Sequence, residues 1–418
     1  MRCLSIIEAI NARKIFNSRG EETIEVEVKT AGGKSRAAAP AGKSKGKYEV
    51  EYYPKGGVDE SVKLIRKLVE PKLLGVDAKN QTAIDKILHQ VDGTENFGRI
   101  GGNASYAIST AIASAAALSH KKPLFSLFKD ADGYEIPNPL GNVIGGGKHA
   151  GKGTPDIQEI LVLPFGGKSF VQSFAANIRV HKLVGKFLEK KIPTFTGGKG
   201  DEGAWAPRTR NEDAIEMVFD ASEKVSDETG ISIRVALDVA ASSFWVPKKR
   251  CYDYAGEKTT RSEGEQIDYI LNLIEKYELA YVEDPLHEDD FEGFAELTKK
   301  AKKCLICGDD LFVTNDKKLR QGIRMKAANS IIIKPNQVGT ISDAYRTVKL
   351  AKRAGYVPVI SHRSGETCDG YLGHLAVSFK CPIIKTGIIG GERAAKLNEL
   401  IRIEETLGKN AKMAKLKI

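Results

Sequence analysis

The strongest constraint on this chain is a series of short apolar runs, each closed by a charged residue. IRVALD ends at Asp238, LAYVED brings Glu283 and Asp284, and CLICGDD brings Asp309 and Asp310. SIIIK ends at Lys334, VPVISHR brings His362 and Arg363, and PIIK ends at Lys385. After one wider first gap the runs recur about every 25 residues, near the length of a strand plus a returning helix. In a barrel of parallel strands the C-terminal strand ends converge on one mouth, where such enzymes keep their chemistry. The series therefore predicts a metal-binding, acid–base site assembled strand by strand.

The length of 418 residues suits one large barrel plus a smaller domain. The apolar fraction, 41%, is that of an ordinary soluble protein. No apolar run reaches the ~20 residues of a membrane span, and the start, MRCLSIIEAINARK, has no long apolar signal-peptide core. These features favour the cytoplasm and argue against a membrane partner. The six cysteines are scattered, as in a reduced intracellular protein. Cys304 and Cys307 lie in a strand-like run, where residues three apart face opposite sides, and read as core thiols. Basic residues outnumber acidic ones by 64 to 54, a net charge of +10. No Lys/Arg stripe interleaved with aromatics accompanies it. Clusters such as Lys248-Lys249-Arg250 and Lys299 to Lys303 read as solvated faces, so nucleic acid is not an expected partner.

The first part of the chain reads as α+β. Ile24, Val26 and Val28 alternate with Glu25 and Glu27, the mark of a half-buried strand. Ala31 to Lys34 looks like a turn, and Ser35 to Ala39 pairs back as a hairpin. Asp59 is placed to N-cap a helix carrying Val62, Ile65, Leu68 and Val69. An alanine-rich helix runs from about Ser105 to Ser119. A boundary falls near Asp132-Gly133, which gives expected domains of 1–132 and 133–418. Beyond it strands alternate with amphipathic helices, among them Glu265 to Tyr277, Ser342 to Ala354 and Glu392 to Leu407. That alternation predicts a βα barrel.

Carboxylates from three strands aimed at one mouth repel each other without a cation, and hard oxygen donors select Mg²⁺. Asp238, Glu283 and Asp309 are the expected set. Adjacent side chains of a strand point oppositely, so one acid of each pair, Glu283-Asp284 and Asp309-Asp310, is expected to reach the metal. A single strand-end acid also serves as a helix cap, and it is the series that carries the metal reading. Lys334, closing a run of isoleucines beside other cations, is expected to have a lowered pKa and to act as a base. His362, Arg363 and Ser364 gather donors at a glycine turn, a cradle for phosphate or carboxylate, and Lys385 adds a positive charge. Two glycine-rich loops, Gly145 to His149 and Gly200 to Gly203, let backbone and ligand approach closely. Glu159, just after the first, and Glu202, inside the second, form a candidate carboxylate pair for acid catalysis. Gly42-Lys43-Ser44 imitates the end of a P-loop, but Ala37 stands where that motif needs glycine.

Together these residues resemble the enolase family, over nearly the whole chain from about Ile6 to Asn410. The most specific stretches are Ser361 to Thr367, Lys334 to Thr340, Gly200 to Gly203 and Gly308 to Leu311, with Asn17 to Gly20 and Arg402 to Glu405 in support. The resemblance implies a small N-terminal α+β domain followed by a modified eight-stranded βα barrel. It implies two Mg²⁺ per site, one held by Asp238, Glu283 and Asp309, the second arriving with substrate near Ser44. It implies 2-phosphoglycerate and phosphoenolpyruvate as substrates, Lys334 as the base at C2 and Glu202 as the acid at C3, with Glu159 beside it. Arg363 and Ser364 match phosphate ligands, and His149, His362 and Lys385 match further substrate contacts. A lysine base working with Mg²⁺ is the established pattern of that superfamily rather than a deduction from spacing. Homodimers, some assembling to octamers, are the family's usual state.

The departures from the family pattern concentrate in the lids: Pro40 to Gly46, Glu51 to Lys55, Gly145, the loop before Gln158-Glu159, and Thr367 to Gly370. A paralogue acting on another phosphorylated hydroxy acid, and a catalytically silent binding protein, are the alternatives that the sequence leaves.

Overall fold

The computed structural model describes residues 4–43, 45–128 and 133–416. Ser44, expected near the second metal ion, and Cys3 lie outside the described residues.

The N-terminal region is built on an antiparallel meander, β1 (Ile7–Phe16), β2 (Glu22–Thr30) and β3 (Gly33–Ala38). The period-2 pattern is realised: Ile24, Val26 and Val28 are buried while Glu25 and Glu27 pair with Arg13 on the other face. The helix Gly102–Ser119 lies across β2 and β3, and its small residues leave it buried on almost every side. The earlier helix starts at Gly57, not at an Asp59 cap. Gly56 takes the N-cap position with φ 109°, and Asp59 sits in the first turn, where its charge suits the positive helix end.

The second region closes into a barrel. Its strands are β4 (Asn138–Gly145), β5 (Glu159–Phe165), β6 (Ser232–Asp238), β10 (Tyr281–Glu283), β11 (Leu305–Gly308), β12 (Ser330–Ile333), β13 (Val357–Ser361) and β14 (Ile383–Gly387), paired in that order with β14 returning to β4. A separate antiparallel sheet of β7 (Trp245–Val246), β8 (Cys251–Tyr254) and β9 (Thr259–Ser262) fills the wider first gap of the charged series. One strand departs from the parallel order, which makes this a modified βα barrel. β5 runs antiparallel to both β4 and β6. The reason is local: residues 146–158 hold only the one-turn helix Gly147–Ala150, too little for a crossover, so the chain turns back at the mouth. Two consecutive helices, Phe170–Lys191 and Asn211–Thr229, then lead from β5 to β6.

The barrel interior is filled by Leu140, Leu161, Tyr281, Cys307, Ile332 and Val359 among others. Cys304 belongs instead to the core outside the barrel, so the two thiols face opposite sides, both buried and free. The outer helices keep their expected positions to within a few residues. Glu263–Lys276 is fixed by a Ser262–Glu265 capping box, and Ile341–Arg353 by Thr340. The N-terminal region meets the barrel along a polar seam, where the buried Asp85 accepts hydrogen bonds from Gln81, Ser109 and the backbone N–H of Ser342.

Candidate active site

Strand register sets the site. Glu159 lies opposite Asp238, Asp238 opposite Glu283, and Ser361 opposite Lys385. Glu159 is the first residue of β5, and it reaches the same mouth as the strand-end acids because β5 is reversed. Glu202 comes from the loop between the two long helices. Trp205 pins that loop to β4 through N–H to Val143 O and its own carbonyl to Gly145 N–H, each 2.9 Å. Two glycines allow the loop to lie flush on the end of β14: a Cβ on Gly387 would stand 2.0 Å from Glu202 O, and one on Gly203, at φ 76°, 2.3 Å from Ile389 O. The result is a cleft lined by His149, Glu159, Glu202, Lys334, Arg363 and Lys385, among others.

The acids split into two groups. Asp238 and Glu283 converge on the Lys385 ammonium, at 2.7 and 2.8 Å, with Glu159 at 3.4 Å. Gln158 also reaches Asp238, at 3.4 Å. The charge that offsets these acids in the protein alone is therefore internal, a role for Lys385 that sequence reasoning did not foresee. Burial disfavours the Lys385 ammonium, but Asp238, Glu159 and Glu283 outweigh it and raise its pKa well above the lysine range. Glu283 Oε2 accepts both Lys385 and the Tyr281 hydroxyl, the latter at 2.6 Å. Its Oε1 is buried with no hydrogen-bond partner among the described residues. Burial and the nearby Asp238 push the Glu283 pKa well above the carboxylate range.

Asp309 turns instead to Lys334, its Oδ2 in close contact with the ammonium, while Gln337 donates to Oδ1 at 3.0 Å. The expected lowering of the Lys334 pKa is corrected here. Burial is the largest single influence and disfavours the charged form, as do Arg363 and Lys385, but the surrounding acids, Asp309 foremost and Glu283 with it, together outweigh them, and the pKa is raised. Of the two acid pairs, Asp284 from the first and both Asp309 and Asp310 from the second line the cleft. Asp284 has φ 40°, which breaks the strand alternation, so it lines the cleft beside Asp309 and Asp310. Its two oxygens accept the backbone N–H groups of Asp309 and Asp310, at 2.9 and 2.8 Å, and so tie two strand ends together.

Across the cleft, His149 Nδ1 stands 3.4 Å from Glu159 and 3.5 Å from Glu202. Burial raises the Glu159 pKa, and the charge of Glu202 adds to it. Burial acts on Glu202 in the same sense, but His362, His149 and Arg393 reverse it and hold that carboxyl well below its ordinary range. His362 is itself pushed down to about 4 by burial, so near neutrality it acts on Glu202 as a hydrogen-bond donor, and the charges come from His149 and Arg393. Of this carboxylate pair Glu159 is therefore the more readily protonated.

Arg363 is buried on the third side. Glu49 grips it with both oxygens, at 3.0 and 3.1 Å, and Asn336 and the Tyr52 hydroxyl take its remaining Nη protons, at 3.1 and 2.7 Å. Ser364 Oγ accepts the Lys43 N–H at 2.9 Å, and Ala41 and Gly365 exchange backbone bonds, which fastens segment 41–43 to the turn. Glu49, Tyr52, Asn142, Asn336 and Arg393 were not singled out from sequence. Asn336 and Gln337 lie in the stretch Lys334 to Thr340 and were within reach of a closer reading. Arg393 looks like any basic residue of an amphipathic helix.

The arrangement is that of a barrel enzyme whose mouth holds clustered acids next to a lysine and a carboxyl pair. The oxygen donors of Asp238, Glu283 and Asp309 and the unpartnered Glu283 Oε1 suit a hard divalent ion. Among the described residues the groups whose ligand atoms lie within 4.8 Å of one another are instead Asp284, Asp309 and Asp310, and His149, Glu159 and Glu202; Asp238, Glu283 and Asp309 do not form such a group. Residues 133–418 match the family model "Enolase, C-terminal TIM barrel domain" and residues 7–128 the model "Enolase, N-terminal domain". The enolase of Methanosphaera stadtmanae is 53% identical over 404 residues, covering 96% of this chain and 98% of that protein. The enolase of Methanothermobacter thermautotrophicus is 52% identical over 404 residues (96% and 97%), and that of Pyrobaculum aerophilum 46% over 412 residues (97% and 98%). The chain belongs to the enolase family.

Proposed function

We propose that this chain is a hydro-lyase, a phosphopyruvate hydratase that interconverts 2-phospho-D-glycerate and phosphoenolpyruvate in glycolysis and gluconeogenesis. The observation that carries the reading is the placing of Lys334 and Glu202 in one cleft with Arg363 and Lys385, a base and an acid flanking a seat for a dianionic substrate. Lys334 Nζ takes the C2 proton, and the electron pair of that bond becomes the C2–C3 double bond. The C3–O bond breaks with its electrons on oxygen, and Glu202 protonates the departing hydroxyl, which leaves as water. Arg363 and Ser364 hold the phosphate, while His149, His362 and Glu159 line the hydroxyl side and Lys385 the carboxylate side. The substrate's negative charge favours the protonated form of Glu202, which the protein alone keeps ionised.

Asp238, Glu283 and Asp309 would hold one Mg²⁺, and a second would arrive with substrate near Ser44; bound there, the ions would supply positive charge to the developing dianionic carboxylate and would offset the Asp309 charge that keeps Lys334 protonated. In this reading residues 1–132 form the smaller domain and 133–418 the barrel domain. The protein works in the cytoplasm as a homodimer, or as an octamer of such dimers. Among the described residues no helix is long and apolar enough to cross a membrane. The test is turnover of 2-phosphoglycerate by purified protein, followed as phosphoenolpyruvate absorbance with and without Mg²⁺. Mg²⁺-dependent formation of phosphoenolpyruvate is expected. Its absence would favour a paralogue with another substrate, and equal turnover without divalent ions would overturn the metal assignment.

A further inference from the structure

Arg393 is fully buried near the start of the helix Gly391–Leu407. Its guanidinium donates to four acceptors: Nη1 to His362 Nδ1 at 2.8 Å and to Arg363 O at 2.7 Å, Nη2 to Ser364 O at 2.6 Å and to Asp201 O at 3.1 Å. A guanidinium has no lone pair to offer. His362 Nδ1 must therefore be the acceptor, and the neutral ring carries its proton on Nε2. Nε2 lies 3.3 Å from Glu202 Oε2, and Asn142 Nδ2 donates to the same oxygen at 3.1 Å. Two donors thus converge on Oε2. Glu202 Oε1 lies on the His149 side, 3.5 Å from Nδ1.

We propose that Arg393 is a positioning residue that selects the working oxygen of Glu202. By locking His362 as the Nε2–H tautomer it keeps Oε2 an acceptor, so the proton delivered to the leaving hydroxyl sits on Oε1. The same guanidinium holds the carbonyls of residues 201, 363 and 364, so the acid loop and the Arg363–Ser364 turn are set from one point. Arg393 touches no reacting atom. The proposal rests on Glu202 being the acid.

The direct test is the nitrogen spectrum of ¹⁵N-histidine-labelled, ligand-free protein, with His362 assigned by its loss in His362→Gln. A protonated Nε2 and a bare, hydrogen-bonded Nδ1 near pH 7 are expected. A proton on Nδ1, or a doubly protonated ring, overturns the proposal without any Arg393 variant having to fold. In Arg393→Lys the His362 signals should shift toward a mixture of tautomers, with kcat lowered ten- to a hundredfold and KM changed less than threefold. An unchanged tautomer in that variant, or a changed tautomer with unchanged kcat, also overturns it. Glu202→Gln separates the two readings: full activity there would remove the acid role while leaving the His362 tautomer as found.

Discussion

Asp85 and Glu283 are both completely buried carboxylates, and the protein treats them in opposite ways. Asp85, in the seam between the N-terminal region and the barrel, has both oxygens occupied by neutral donors: Gln81 at 2.9 Å, Ser109 at 2.7 Å and the Ser342 N–H at 3.0 Å. Burial raises its pKa, but these bonds limit the rise to about 6. Glu283, at the barrel mouth, has one oxygen crowded by Tyr281 and Lys385 and the other unpartnered, and its pKa is driven well above the carboxylate range by burial and Asp238. A carboxylate that serves the fold is saturated with hydrogen bonds. One left short beside other acids, as Glu283 is, is a candidate functional position, here a candidate cation ligand.

The largest effects belong to the mouth. Lys334→Ala and Glu202→Gln should each lower kcat by roughly 10²- to 10⁴-fold, the range for a lost general base or acid. Both should retain cooperative unfolding and Mg²⁺ binding. Steady-state kinetics beside calorimetric metal titration checks this, and kcat within a few-fold of the parent protein would remove that residue from the chemistry.

The seam gives the next effect. The Asp85 carboxyl titrates near 6 in the folded chain and near ~3.9 unfolded, so between those values the folded state binds more protons. Its contribution to stability is present below about pH 4 and is lost as pH rises through about 6. Denaturant unfolding of the parent protein and Asp85→Asn across that window should show the parent losing roughly 3 kcal/mol relative to the variant. Parallel curves would show that the seam leaves Asp85 ionised at no cost, and the contrast with Glu283 would weaken.

The smallest effect tests the edge of the mouth. Tyr52→Phe removes a hydroxyl that accepts from Arg363 and donates to Glu49, in a stretch where the chain departs from its family's pattern. KM for 2-phosphoglycerate should change several-fold with kcat held within about twofold, a loss of roughly 1 kcal/mol of uniform binding. A fall in kcat with constant KM would place Tyr52 closer to the chemistry than its contacts with Arg363 and Glu49 imply.

How much of this was legible depended on where each contact lies along the chain. Asp238, Glu283, Asp309 and Lys334 stood out because an apolar strand that ends in a charge is a local signal, and barrel topology then brings the ends together. Glu159 was legible only as a neighbour of a glycine loop, since nothing in composition says that β5 is reversed. Arg363's partner Glu49 lies 314 residues away and Glu202's partner Asn142 lies 60 away. Each sits in a stretch whose pattern is fully explained by ordinary strand or loop structure. Lys334 shows the limit most clearly. Its place just after a strand end, in the cleft, was legible, but the sign of its pKa shift depended on the contact with Asp309, a distance that no sequence pattern contains.

The central claim, that the mouth is held short of positive charge until a divalent ion binds, is tested most directly by unfolding Glu283→Gln and the parent protein in EDTA and in Mg²⁺. Glu159, Asp238 and Glu283 share one lysine, so losing one acid leaves no uncompensated cation. The variant should be as stable as the parent or more so in EDTA. The parent should then gain about 2.7 kcal/mol at Mg²⁺ a hundredfold above its Kd, and the variant much less at the same concentration. A variant that is 3 kcal/mol or more less stable in EDTA, as for the loss of one partner of a satisfied buried pair, yet gains as much from Mg²⁺ as the parent would contradict the account.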